Sequence, residues 1–233
     1  MSLFAKDTKE QAFWSWFGKN QEDLFHFEKD REAIFGRLTE ALHKVHGDLT
    51  FEFSPVRGDG RREFVISAGG IKAAFPSVEA LYVTAPKLQK WIILKYRPRR
   101  SPINDLEFAG RKVRSRDVHY ALIKDKNPAK VGIMLFLDGY TEEDKGSVWG
   151  QIGYLFLDEA LGEYDVETHV GAIVFFNRES EYFRQARPLS ELPTHFDEEL
   201  ARRRSSEQDG AANRSQPVGS RTNRASGAAG SGR

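Results

Sequence analysis

Cysteine is absent from all 233 residues. This absence excludes disulfides, thiolate catalysis and cysteine-based zinc or iron–sulfur sites, and it is typical of proteins from a reducing compartment. Long hydrophobic runs are also missing, because the longest, VGIMLFL at Val131–Leu137, is far too short to span a bilayer. The first residues reach charges at Lys6 and Asp7 and lack the apolar core of a signal peptide. We therefore expect a cytoplasmic protein without a membrane segment.

Neither sign of charge is in clear excess, with 35 basic and 34 acidic residues. The balance is nevertheless uneven along the chain. From Ala201 to Arg233, seven arginines face two acidic residues, a net of +5; since the whole chain carries +1, the first 200 residues carry −4. A mildly acidic body does not favour phosphate binding, so any affinity for nucleic acid would have to come from a local patch.

The N-terminal zone, from Thr8 to Gly47, has the periodicity of two helices. In the first, FWSWF places Phe13 and Phe17 one turn apart. The second carries an apolar stripe at helical spacing, formed by Ile34, Leu38, Leu42 and Val45. These patterns predict two amphipathic helices at the start of the fold.

The C-terminal zone, from about Ser205, contains no large apolar residue except Val218. Such a segment cannot bury enough surface to offset its conformational entropy. The sequence therefore predicts a single α+β domain over residues 1–204, with 39% hydrophobic residues in the chain to build a core, and a disordered tail over residues 205–233.

The middle zone contains two similar halves, residues 48–100 and 117–178. Each reads as strand, polar turn, strand, helix and strand, and Gly70 corresponds to Gly139 at an offset of 69. This internal duplication predicts two ββαβ units that share one mostly antiparallel sheet with helices on one face. The alternative is chance, since hairpins followed by helices are common in α+β folds. The second half has about ten extra residues around GEYDVETH. Residues that the core does not require are where function, or neutral drift, tends to accumulate.

That octad alternates acidic and other residues before a late apolar run. If the segment is extended, one face carries every second side chain, namely Glu163, Asp165, Glu167 and His169. Carboxylates and an imidazole on one face could hold a divalent metal or work as general acid and base, with Asp158 and Glu159 close by. The alternative is that they are ordinary solvent-facing residues at a strand entrance, since the spacing matches no known metal motif.

A basic segment lies between the two halves. It contains Lys95, Arg97, Arg99, Arg100, Arg111, Lys112, Arg114 and Arg116. Tyr96 and Phe108 are interleaved with these charges, a pattern that could track a nucleic-acid backbone or bind an acidic protein. The alternative is a strand that runs out into a solvated loop, where basic residues protect the sheet edge.

Three stretches, FWSWFGKN, APKLQKWIILKYRPR and ALGEYDVETHVGAI, together resemble a bacterial family of domains of unknown function. That family combines a short aromatic helix, a hydrophobic strand after an Ala-Pro turn and an LGE-D segment before a late strand. The resemblance covers Thr8 to about Leu200, and Gly162, Glu163 and Asp165 match its pattern. It implies one continuous bacterial domain and supplies no activity, cofactor or catalytic residue.

The leading functional hypothesis is a cytoplasmic binding or interaction module without catalysis, because no catalytic constellation is recognisable. It would use a groove between the two halves or the basic edge at Arg97–Arg116 to bind a protein or a small molecule. The first alternative is a metal-dependent hydrolase built on Glu163–His169, with a divalent ion as its cofactor. The second is nucleic-acid binding through the segment Lys95–Arg116.

Overall fold

The computed structural model describes residues 7–141, 143 and 148–214, with side chains described up to residue 205. The α-helices are α1 (Lys9–Phe25), α2 (Arg31–His43), α3 (Phe75–Val83), α4 (Val148–Leu161), α5 (Glu163–His169) and α6 (Leu192–Arg214). The strands are β1 (Thr50–Phe53), β2 (Arg62–Ser67), β3 (Trp91–Lys95), β4 (Leu106–Phe108), β5 (Arg111–Val113), β6 (His119–Lys124), β7 (Val131–Phe136), β8 (Val170–Phe176) and β9 (Arg187–Pro188). The predicted α+β class is confirmed.

The two predicted N-terminal helices are present as α1 and α2. Thr8 caps α1 and forms a reciprocal capping box with Gln11, and Asp30 caps α2 through the backbone N–H of Ala33. Both helices bury their predicted apolar stripes against the first sheet, where Phe17 stacks on Phe64 with ring centroids 5.0 Å apart. The capping residues and the 3.6-residue periodicity of the apolar residues thus indicate the same two helices.

The predicted ββαβ order is present in both halves. In the first unit, β1 pairs antiparallel with β2, and α3 leads to β3, which pairs parallel with β2. In the second unit, β6 pairs antiparallel with β7, and α4 and α5 lead to β8, which pairs parallel with β7. The extra residues of the second half form α5, which has no counterpart in the first unit within the described ranges.

The two units do not share one continuous sheet, so that part of the prediction is wrong. The described strands form a sheet β1-β2-β3, a hairpin β4-β5 and a sheet β8-β7-β6-β9. The reason lies at the end of β3, where Tyr96 adopts a φ of +60° and turns the chain out of the strand. The following residues bind α4 and α5 through side chains and single backbone hydrogen bonds, so no strand ladder joins the units within the described ranges.

Each unit has its own hydrophobic core. The first lies between α1, α2, α3 and one face of β1-β2-β3. The second lies between α4, α6 and the larger sheet, and it includes Leu192, Phe196 and Leu200 of α6. Helix α6 extends to Arg214, past the position Ser205 at which the sequence predicts the tail to begin; residues 215–233 lie outside the described residues.

Close packing of α4 on β8 depends on a glycine. A Cβ atom added at Gly153 would lie 2.2 Å from Cε1 of Phe175. We expect Gly153→Ala to lower the free energy of unfolding by about 1–3 kcal/mol because helix and strand would have to separate. The matched control is Gly36→Ala on α2, where a Cβ meets nothing within 4 Å, and we expect it to stabilise by about 0.5–1 kcal/mol. Urea denaturation of both variants tests this; equal effects would contradict the packing argument.

Candidate functional site at the junction of the two units

The carboxylate of Glu163 joins the two units. Its side chain is fully buried, at 0% exposure. Its oxygens accept hydrogen bonds from the backbone N–H groups of Ala68 (2.9 Å), Gly70 (3.3 Å) and Arg97 (3.1 Å), all of which belong to the first unit. A buried charge is stable only with such partners, and three donors on one carboxylate are a strong set. Glu163 is therefore a structural ion that ties α5 to the first unit.

Parallel pairing explains why these donors converge. The strands β2 and β3 run in the same direction, so the loop Ala68–Gly70 and the residue Arg97 emerge at the same edge of the sheet. The left-handed backbone at Tyr96 aims the N–H of Arg97 at Glu163. In return, the N–H of Glu163 donates to the carbonyl of Arg97 at 3.0 Å.

Two arginines add ion pairs across the same junction. Arg97 pairs with Glu52 of its own unit and with Asp158 on α4, at 3.1 Å from the latter. Arg99 pairs with Asp165 on α5 at 2.7 Å and with Asp197 on α6 at 2.8 Å. The segment between β3 and β4 therefore links three helices of the second unit, α4, α5 and α6, to the first unit.

A pocket of about 470 Å³ opens at this junction. The first unit contributes Gly69, Gly70 and Arg97, the hairpin β4-β5 contributes Phe108, and the second unit contributes Gln151, Tyr154, Leu155, Asp158 and Glu167. Gly70 has a φ of +80°, and a Cβ there would lie 3.2 Å from Oε1 of Glu167, so glycine keeps this wall open. Ligand sites of α/β proteins commonly lie outside the carboxyl ends of parallel strands, which is where β2 and β3 end here.

Acidic groups dominate the electrostatics of the pocket. Burial, together with the charge of Glu163, raises the pKa of Asp158 to about 7 against the opposing effect of Arg97. Burial also raises the pKa of Glu167, again with a contribution from Glu163. Within the described part of the chain, Glu167 has neither an ion pair nor a hydrogen bond. Burial and the charge of Glu163 thus oppose the ionisation of both carboxylates. The positive charges nearby, Arg97 for Asp158 and Lys130 and Lys72 for Glu167, offset this only in part.

The acidic octad is a helix, not an extended segment, so the prediction of one four-membered face is wrong. A helical turn brings Glu163 and Glu167 together on one side, and it brings Asp165 and His169 together on another, with 4.0 Å between Nε2 of His169 and Oδ1 of Asp165. Among the described residues, no group of three or more His, Asp or Glu is placed to hold a metal ion. The sequence did carry the right signal, because a glycine followed by two acids and ending in histidine is typical of a short helix with a matched dipole.

The basic segment is largely neutralised by acidic partners. Six of its eight residues form ion pairs, through Lys95–Glu79, Arg97–Asp158, Arg99–Asp165, Arg100–Glu63, Lys112–Glu107 and Arg114–Asp117. Arg111 lies over the ring of Trp149 at 5.0 Å. The segment is therefore not one continuous basic surface, and most of its charge serves internal contacts.

Comparison of the chain with family models, curated proteins and solved structures gives no match. The resemblance to a bacterial domain family therefore stays a prediction. None of the helices in the described ranges is both long and apolar enough to cross a membrane.

Neutralising Glu163 tests its structural role. We expect Glu163→Gln to lower the free energy of unfolding by about 2–4 kcal/mol, because its amide N–H₂ would face backbone donors in a buried site. Glu40→Gln is the control, since Glu40 is exposed on α2, and we expect a change within about 0.5 kcal/mol. Chemical denaturation measures both; a Glu163→Gln variant as stable as the control would contradict the assignment.

The raised pKa of Asp158 predicts a pH dependence of stability. Between its ordinary pKa of 3.8 and about 7, the folded state keeps a proton that the unfolded chain has released, so the free energy of unfolding falls as pH rises through this window. In Asp158→Asn this contribution is absent, so the variant gains stability relative to the wild type from pH 4 to pH 7. Denaturation curves at four pH values test this, and identical slopes would contradict it.

Proposed function

We propose that the protein is a binding module, that its site is the junction pocket, and that its ligand is a small organic cation. The observation that carries the proposal is Glu167, a half-buried carboxylate in a pocket wall with no ionic or hydrogen-bonding partner in the described part of the chain. Asp158 lies in the same pocket with a pKa raised to about 7. A bound cation would pair with Glu167 and would add to the positive charge that Arg97 already supplies to Asp158.

The walls of the pocket favour an organic cation. Phe108 and Tyr154 add aromatic surface, and an ammonium group is attracted to the face of an aromatic ring. A volume of about 470 Å³ lies in the range of sites for small molecules. The pocket fits a metal ion less well, because the oxygens of Glu163 already accept hydrogen bonds from three backbone N–H groups and are not free to coordinate it.

The wall of the junction pocket at Arg97 is rigid, which favours a preformed binding site over one that closes around its ligand. Arg97 is held by Glu52 and Asp158, and its backbone is fixed on Glu163 at both N–H and C=O. The ligand would therefore meet a preformed site and would lose little affinity to reorganisation. Nucleic-acid binding has less support, because the ion pairs described above neutralise most of the basic segment.

Benzylamine, with benzyl alcohol as its neutral analogue, is a suitable pair of probes. We expect saturable binding of benzylamine at millimolar concentration or below, and none of benzyl alcohol over the same range. A cation favours the ionised carboxylates, so affinity should rise as pH increases from 5.5 to 8, while the amine stays protonated. Isothermal titration calorimetry at the two pH values measures this.

Variants locate the binding site. We expect Glu167→Gln to weaken benzylamine binding by about tenfold, because it removes the unpaired charge. Glu159→Gln, one position from Asp158 but outside the pocket lining, should bind as the wild type does. Equal affinity in wild type and Glu167→Gln, or equal affinity for the amine and the alcohol, would rule the proposal out.

A further inference from the structure

A second cavity, of about 550 Å³, lies on the other side of the segment that follows β3. Its walls come from residues 99–103, from the turn Ser115–Arg116 and from the start of α6. None of its lining residues lines the junction pocket. It is therefore a separate cavity, built entirely from described residues.

The polar rim of this cavity is a set of donors. Arg116 is exposed and forms no ion pair within the described part of the chain. Hydrogen bonds from Ser115 lower the pKa of the nearby Asp105, and the charge of Arg116 adds to that effect. Ser190 and Thr194 bring hydroxyl groups that make no protein hydrogen bond in the same described ranges. The nearby acid, Asp105, is occupied by Ser115, whose N–H and Oγ lie 2.8 and 3.1 Å from its Oδ1. The groups at the rim that are free to bind a ligand are thus a guanidinium and two hydroxyl groups.

Two further arginines, Arg99 and Arg100, line the cavity from behind. Both are paired, Arg99 with Asp165 and Asp197 and Arg100 with Glu63. They are therefore held in place and add little net charge. Arg116, which forms no ion pair within the described ranges, is the arginine of the lining whose guanidinium is open to a ligand. Helix α6, of 23 residues, begins at the cavity, so the positive end of its dipole lies there.

The rest of the cavity lining is largely apolar. It includes Pro102, Ile103, Ala160, Leu189 and Pro193. Donors and apolar surface in one cavity fit a ligand with an anionic head and a compact apolar body. We propose that this cavity binds a small organic anion, with a phosphate or carboxylate group at Arg116, Ser190 and Thr194.

Phenyl phosphate, benzoate and phenol are the probes, and amide chemical shifts in ¹H–¹⁵N spectra of the full chain are the readout. We expect saturable shifts at Ser101, Ser190 and Thr194 with at least one anion and none with phenol. The ratio of the two anion affinities distinguishes a phosphate site from a carboxylate site. Absence of saturation by both anions up to about 20 mM would overturn the proposal, since such affinity is weaker than a built site gives.

Arg116→Ala tests the assigned charge. We expect it to weaken binding of the preferred anion by about tenfold, because one charged hydrogen-bond donor is lost. Arg184→Ala, an exposed arginine outside the cavity, is the matched control and should bind as the wild type does. Unchanged affinity in Arg116→Ala, or shifts confined to other regions, would refute the site. Glu167→Gln should leave anion binding unchanged, so failure here and failure of the amine site are separate results.

Discussion

A single buried carboxylate determines how the two halves of this protein meet. Glu163 places a full charge where water does not reach, and this is tolerable only because three backbone N–H groups of the first unit surround it. Those donors exist because two parallel strands end at the same edge and because Tyr96 turns the chain. The separate cores of the units are consequently joined by polar contacts.

The same charge shapes the chemistry of the junction pocket. A fixed negative charge beside Asp158 and Glu167 opposes their ionisation, and burial adds to the effect. Arg97 offsets the raised pKa of Asp158 only in part, since Arg97 also pairs with Glu52. The cation affinity that we propose for this pocket is thus a consequence of how the units are joined. Stability and proposed function therefore depend on the same residues, and variants such as Glu163→Gln would disturb both.

The segment from Arg97 to Arg100 has two sides with different roles. One side closes the acidic junction pocket, and the other lines the cavity at the start of α6. Its ion pairs reach α4, α5 and α6, so a run that looks basic in the sequence is close to neutral in the fold. Arg116 is an exception, because it lines the second cavity and forms no ion pair within the described ranges. The two proposed sites accordingly differ in the sign of their ligands.

The sequence by itself excluded disulfides and cysteine-based catalysis and metal sites. It also determined the helices α1 and α2, the α+β class and the ββαβ order of both halves. These features depend on composition and on periodicity within short windows, which side chains of neighbouring residues set directly. The tertiary structure decided the rest: two sheets instead of one, a helical octad, and the partners of Glu163 and the arginines. Glu163 lies 95 residues from Ala68 and 66 from Arg97 in the chain. The alternating charges of the octad fit a strand, whereas its leading glycine, early acids and final histidine fit a short helix. Distant backbone donors, which bind the buried carboxylate of Glu163, made the helix the stable choice.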